Sequence, residues 1–179
     1  RYAGESAPAD GAVLPSMTGQ SLSLTQRLEG RASLALGAGT LEAEALEPYS
    51  TGMVSCFACP VHCRHRYAIA DGKYKGTHGE GPEYGSIGSL GPKLGNLDLE
   101  NIIHVCELAN YYGLDTMSMG SYMAWVMELY QRGIIGKGLT EIPLDWGNGD
   151  AIIELIHRIA ERKGFGGILA EGRLAHKVF

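Results

Sequence analysis

The stretch Asp98-Leu-Glu-Asn-Ile-Ile-His-Val-Cys-Glu-Leu-Ala-Asn-Tyr-Tyr-Gly113 decides the fold class. Leu99, Ile102, Ile103, Cys106 and Ala109 fall at i, i+3, i+4, i+7 and i+10, the spacing of one buried helix face. Asp98 stands where an N-cap carboxylate is wanted, Glu100 favours the positive end of the first turn, and Gly113 supplies the stop. The spacing therefore predicts a helix from Asp98 to about Tyr112. Downstream, Met123, Ala124, Met127 and Tyr130 form a second stripe. It predicts a helix starting at Ser118 or Ser121, capped by one of those serines, and stopping at Gly133 after Arg132. Ile152, Ile153, Ile156, Ile159 and Ala160 predict a third, from about Asp150 to Lys163, with Gly164 as its stop. A short fourth helix is expected around Ile168 to Lys177.

Upstream of Asp98 the pattern changes. Asp71-Gly72-Lys73 reads as a turn between Tyr67–Ile69 and Lys73–Lys75, a short ribbon. Gly76 to Gly95 is Gly-rich and is expected to be irregular. Residues 1–49 are weakly organised, with one short helix and a turn within Leu22 to Leu46. Three segments follow: a loosely organised 1–49, a cysteine loop and Gly-rich region over 50–97, and a helical region over 98–179. The fold class is mainly α, an irregular N-terminal part followed by about four helices.

The chain has 179 residues, a formal charge of −5 and 45% hydrophobic residues. That supports a real core, and no basic stripe points to nucleic acid. No apolar run approaches the roughly 20 residues that span a bilayer, so membrane insertion is not expected. Three of the four cysteines crowd into Cys56-Phe-Ala-Cys59-Pro-Val-His-Cys63, a C-x2-C-x3-C spacing. A disulfide framework spaces its cysteines more widely, so a reducing, cytoplasmic-type compartment is expected. Thiolates this close in sequence converge on an iron–sulfur cluster or a zinc ion. Pro60 removes a backbone N–H and stiffens the loop. The spacing favours the cluster. Zinc stays open, with His62, His65 or Cys106 as its fourth ligand. Cys106, mid-helix on the apolar stripe, reads as a small core residue.

Other residues with chemistry lie nearby. His62, His65 and His78 sit close to the cysteines. His104 precedes Glu107 by one helical turn, and the two read as a solvated pair on one face. His157 and His176 read as ordinary helix residues. Gly79-Glu-Gly-Pro-Glu-Tyr-Gly85 offers Glu80 and Glu83 on a backbone that permits close approach. Asn110-Tyr-Tyr-Gly-Leu-Asp-Thr116 joins two helices. Asp115 there is either a plain N-cap or an acceptor for the amide-like donors of a heterocycle.

These three segments, in this order, resemble the tungsten-dependent aldehyde:ferredoxin oxidoreductases, best over about residues 50–179. Met127-Glu-Leu-Tyr-Gln-Arg-Gly133, Trp146-Gly-Asn148 and Gly164-Phe-Gly-Gly-Ile-Leu-Ala-Glu-Gly172 are similar too. The resemblance implies the helical second and third domains of such an enzyme, behind a β-rich first domain. It implies a tungsten (or molybdenum) bis-pyranopterin and a 4Fe-4S cluster, with Cys56, Cys59 and Cys63 as three cluster ligands. Asn110, Gly113, Leu114 and Asp115 would form a pterin-binding motif, and Glu83 a catalytic carboxylate. Members often carry a second Glu after the tyrosine, where this chain has Gly85. The fourth cluster cysteine is expected outside the chain, which reads as an internal piece, inert alone. The implied reaction oxidises a small aldehyde to a carboxylic acid, with ferredoxin or another iron–sulfur carrier as electron acceptor. Alternatives are a related tungsten enzyme acting on an aromatic acyl-CoA, and a zinc-stapled interaction module without turnover. A homodimer is left open.

Overall fold

The computed structural model describes residues 41, 43–62 and 64–172. The helix and turn expected within Leu22 to Leu46 fall almost wholly outside them, as does Cys63. The described chain opens with a short helix α1 (Ala43–Leu46) and a 3-10 turn over Glu47–Tyr49. Three antiparallel strands follow, β1 (Ser50–Val54), β2 (Arg64–Ala68) and β3 (His78–Glu80), in the order β1-β2-β3. The register pairs Val54 with Arg64 and Tyr67 with Gly79.

The ribbon expected here exists but is longer. Tyr67 belongs to β2, while its partner strand is β3 rather than Lys73–Lys75. Ile69 and Tyr74 are buried, so the intervening residues fold inward as a loop closed by Gly76 N–H donating to the Ile69 carbonyl at 2.9 Å. Gly76 to Gly95 is not irregular either. It holds β3, helix α2 (Tyr84–Leu90) and a 3-10 turn over Pro92–Leu94. Glycines at 85 and 88 hid that helix from a propensity reading. Ile87, Ser89 and Leu90 bury one face of it against the helices that follow, and this packing outweighs the weak propensity.

Helix α3 (Leu99–Tyr111) runs as the stripe predicts. The Asp98 carboxylate accepts from Asn101 N–H, and Leu99, Ile102, Ile103, Cys106 and Ala109 are buried. Gly113 stops it with φ +67°, a conformation glycine adopts without penalty. Helix α4 (Thr116–Gln131) starts earlier than predicted. Asp115, not Ser118 or Ser121, is the cap, its carboxylate accepting from Ser118 N–H at 2.6 Å. Met123, Ala124 and Met127 are buried and Tyr130 is half-buried, as their spacing requires.

A short helix α5 (Lys137–Thr140) leads to α6 (Gly149–Ala160), capped by Asn148. Helix α6 ends three residues before Lys163 because Arg162 takes a left-handed φ of 55°. Gly164 then begins α7 (Gly164–Leu169) rather than closing α6, so the fourth predicted helix lies earlier than expected. Its predicted last turn, residues 173–177, is outside the described residues. Helices α3 and α6 pack together, α7 packs on α6, and one apolar cluster joins them to Tyr67, Ile69 and Tyr74 of the sheet region. The architecture is mainly helical with a small three-stranded sheet. No described helix is long and apolar enough to cross a membrane.

Candidate functional site

Residues 55–62 belong to the tip of the β1–β2 hairpin, above the Val54–Arg64 pair. Cys59 N–H donates to the Cys56 carbonyl at 3.0 Å, and Ala58 takes a left-handed φ of 57° to close the turn. Cys56 is exposed, Cys59 is half-buried, and neither is in a disulfide. Cys59 Sγ makes only a weak 3.8 Å contact with the Val61 carbonyl. Phe57 is fully exposed at 102% and Val61 is 45% exposed. No group of three or more metal-ligating side chains assembles among the described residues, but Cys63, the third thiol of the motif, is not one of them.

The donor set of this tip suits an iron–sulfur cluster: two free thiols on one tight turn. A second observation comes from beneath the tip. Arg64 Nε is buried and has no hydrogen-bond partner among the described residues. Native proteins rarely leave such a donor unmatched, so a missing acceptor near the loop is consistent with a bound anionic group. Sequence reading passed over Arg64, although a cation directly after a thiolate motif was the signal available.

The neighbouring histidines have local partners. His65 Nδ1 lies 2.9 Å from Ser50 Oγ across the sheet, and burial holds its pKa below the usual value. His78 Nδ1 donates to the Gly76 carbonyl at 2.9 Å, and His62 is exposed. Cys106 is sealed in the core as expected, and burial followed by the Glu107 charge pushes its thiol up to about 12. His104 and Glu107 are not a solvated pair. His104 Nδ1 lies 2.9 Å from Thr77 Oγ1 and its ring stacks on Tyr74 at 4.9 Å, while Glu107 Oε2 accepts from Tyr67 OH at 2.9 Å. His104 thus meets the loop between β2 and β3, and Glu107 meets β2 itself. His157, read as ordinary, holds the Tyr112 hydroxyl at 2.9 Å from its Nδ1.

A second assembly lies at the start of α2 and α4. Glu83 occupies the N-cap position of α2 and Asp115 that of α4. Ser86 Oγ is 2.9 Å from Thr116 Oγ1, Ser89 Oγ donates to the Met117 carbonyl at 3.2 Å, and Lys93 Nζ donates to Ser121 Oγ at 2.6 Å. Residue numbers rise together along both helices, so α2 and α4 are parallel and their N-termini share one end. A Cβ at Gly120 would lie 2.2 Å from the Ser89 carbonyl oxygen, so only glycine allows this approach. The structure thus brings the start of α2, just after Glu83, beside the start of α4, just after Asp115, although Ser86 and Thr116 are 30 positions apart.

At this end Glu83, Asn110, Gly113 and Asp115 are exposed, Leu114 is half-buried, and Tyr84 and Met117 are 50% and 51% exposed. The Glu83 carboxylate makes no capping bond. The Asp115 carboxylate does, to Ser118, and that bond holds its pKa below the ordinary value. Two parallel N-termini present partial positive charge here. An open cavity of about 420 Å³ lined by Met117, Ser118, Ser121 and Tyr122 adjoins them. Glu80 links the two assemblies. It lies 3.3 Å from Arg66 Nε on β2, and three residues later the chain reaches Glu83.

Residues 23–177 match the family described as aldehyde ferredoxin oxidoreductase, domains 2 and 3. The chain is 46% identical over 129 residues to a tungsten-containing aldehyde ferredoxin oxidoreductase of Pyrococcus horikoshii, covering 68% of this chain and 20% of that protein. It is 41% identical over 121 residues to the Pyrococcus furiosus protein of the same name, covering 65% and 19%. It is also 37% identical over 116 residues to the WOR-like subunit of an aliphatic sulfonate oxidoreductase of Pyrococcus furiosus, covering 65% and 19%. The chain therefore spans about a fifth of the length of these relatives. With most of its length matched, and with both assemblies falling inside the match, the chain belongs to the aldehyde ferredoxin oxidoreductase family.

Proposed function

We propose that this chain is the cluster-bearing and pterin-facing part of a tungsten-containing oxidoreductase that converts small aldehydes to carboxylic acids. The observation that carries the reading is the hairpin tip. In a member of this family, Cys56 and Cys59 stand as free thiols on one turn, the first exposed and the second half-buried. Cys56, Cys59 and Cys63 would hold a 4Fe-4S cluster. Asn110, Gly113, Leu114 and Asp115 would hold a pyranopterin carrying tungsten or molybdenum. When bound, these groups supply two-electron chemistry at a carbonyl and one-electron transfer to ferredoxin or a similar carrier.

This chain's own contribution is placement and proton handling. Asp115 fixes the start of α4 through Ser118, and its exposed carboxylate retains lone pairs for N–H donors of a heterocycle. Oxidation of an aldehyde to an acid adds one water oxygen and releases two electrons and two protons. Glu83, exposed and free of a capping bond, would accept a proton at its carboxylate. Gly85, beside the Met117 thioether, contributes no carboxylate, and Glu80 is engaged by Arg64 and Arg66, so Glu83 is the acid of this segment proposed for the role.

The test is replacement of Cys59 by Ser in the full-length protein, purified without oxygen. Broad visible absorption and an iron signal should be lost, and aldehyde-dependent viologen reduction with them. An unchanged iron spectrum, or a colourless wild-type protein containing stoichiometric zinc, would overturn the proposal.

A further inference from the structure

We propose that Arg64 sets the reduction potential of the cluster on this hairpin, and that Glu80 opposes it; the inference rests on the cluster reading above. Arg64 opens β2 directly after Cys63 and sits in the last pair beneath the loop, opposite Val54. Its guanidinium reaches across the hairpin mouth, where Nη2 donates to the Ser55 carbonyl at 3.4 Å, one residue before Cys56. Its side chain is 24% exposed, and its Nε is buried without a partner among the described residues. A guanidinium stays protonated, so burial cannot be relieved by losing the charge. A permanent cation with an unused N–H is thereby fixed between the two arms of the loop that carries the thiols.

Among the described residues, the carboxylate paired with Arg64 is Glu80, whose Oε2 is 3.8 Å from Nη2. That carboxylate is shared, since its Oε1 also accepts from Arg66 Nε at 3.3 Å. Glu80 therefore neutralises Arg64 only in part. A thiolate-held cluster is anionic. It gains one further negative charge when a low-potential one-electron donor reduces it. A nearby cation and N–H donors toward the sulfurs favour the reduced form, and burial strengthens both effects. Arg64 raises the potential by this argument, and Glu80 lowers it.

The two residues thus predict shifts of opposite sign. Dithionite titration of the oxygen-free full-length protein, followed by the EPR signal of the reduced cluster, reads them. Arg64→Gln should lower the midpoint so that the reduced-to-oxidised ratio at fixed potential falls about tenfold, equivalent to about 59 mV for one electron. Glu80→Gln should raise it by a smaller amount. Arg64→Lys keeps the charge and loses the fork, and should fall between Arg64→Gln and the parent. If Arg64→Gln loses its iron, the Lys and Glu80 variants still carry the sign. A merely structural role would lower iron content in each variant without moving the potentials in opposite directions. Potentials that stay at the parent value, or that shift in the same direction for Arg64→Lys and Glu80→Gln, overturn the assignment while leaving the cluster reading intact. A parent protein without any iron signal overturns both.

Discussion

Helix α3 shows two different ways of holding a structure together. On one side Leu99, Ile102, Ile103, Cys106 and Ala109 are sealed in an apolar core with Ile152, Leu155 and Ile156 of α6. On the other side Glu100, His104 and Glu107 meet the sheet region through hydrogen bonds: Tyr49 OH to Glu100 Oε1 at 3.0 Å, His104 Nδ1 with Thr77 Oγ1 at 2.9 Å, and Tyr67 OH to Glu107 Oε2 at 2.9 Å. Apolar packing is non-directional and scales with area. The polar seam is directional and fixes the orientation of the sheet on the helix. The distinction matters because the sheet carries the cysteine turn at one end, whose thiols need placement more than burial. The seam is not devoid of apolar support, since Tyr67, Ile69 and Tyr74 join the same core.

The largest effect should come from the apolar side. Ile152→Ala removes a fully buried side chain from the α3–α6 contact. It should cost about 2–5 kcal/mol, the transfer term plus the cavity left behind. Thermal or denaturant unfolding of the chain reads this directly. A loss under about 1 kcal/mol would mean that the helical core is not what carries the stability.

The seam should respond less. Tyr67→Phe keeps the ring and removes the hydroxyl that donates to Glu107. It should cost about 1–3 kcal/mol, toward the lower end because half-buried Glu107 can recruit water. Tyr67 itself will not ionise in the working range, because burial, then Glu107, pushes its pKa far upward. The informative quantity is the ratio of the two losses. If Tyr67→Phe costs as much as Ile152→Ala, the division of labour along α3 is wrong.

The two sides of α3 were not equally legible in the sequence. The apolar side was legible because a 3.6-residue period is a local signal, and each residue on it is identified by its own hydrophobicity. The caps at Asp98 and Asn148 bear a local signal of the same kind, though only the first was read. The polar side was not legible, because Glu107 and Tyr67 lie 40 residues apart and neither type is distinctive alone. Helix α2 was missed for a similar reason. Its glycines argue against a helix locally, and what favours it is contact with α4, including the Gly120–Ser89 approach. At the site, the cysteine motif and the Asp115 cap were visible as short patterns. The hairpin that carries the first, and the parallel start of α2 beside the second, depend on pairings across the chain. Arg64 was missed because its significance is the unpaired Nε, which no sequence displays.

The smallest effect should be a loss of stability in acid to which the polar side of α3 contributes and the apolar side does not. His104 is held below its ordinary value of 6.5 first by burial, then by His157, with Lys73 adding to the lowering and Glu107 opposing it. Its immediate contacts are Thr77 Oγ1 and the Tyr74 ring. The folded state therefore binds this proton less readily than the unfolded chain does. Stability should be level above the unfolded-state pKa of about 6.5 and fall as pH drops through that value toward the lower folded one. His65, also lowered by burial, contributes in the same direction. His104→Asn removes one of the two sources and should flatten, without abolishing, the slope of the denaturant midpoint between about pH 7 and about pH 5. Ile152→Ala should shift the whole curve down and leave its slope unchanged. An identical slope in the His104 variant and the parent would show that the seam does not resist protonation at this residue, and the polar side of α3 would then be no more than a hydrated contact.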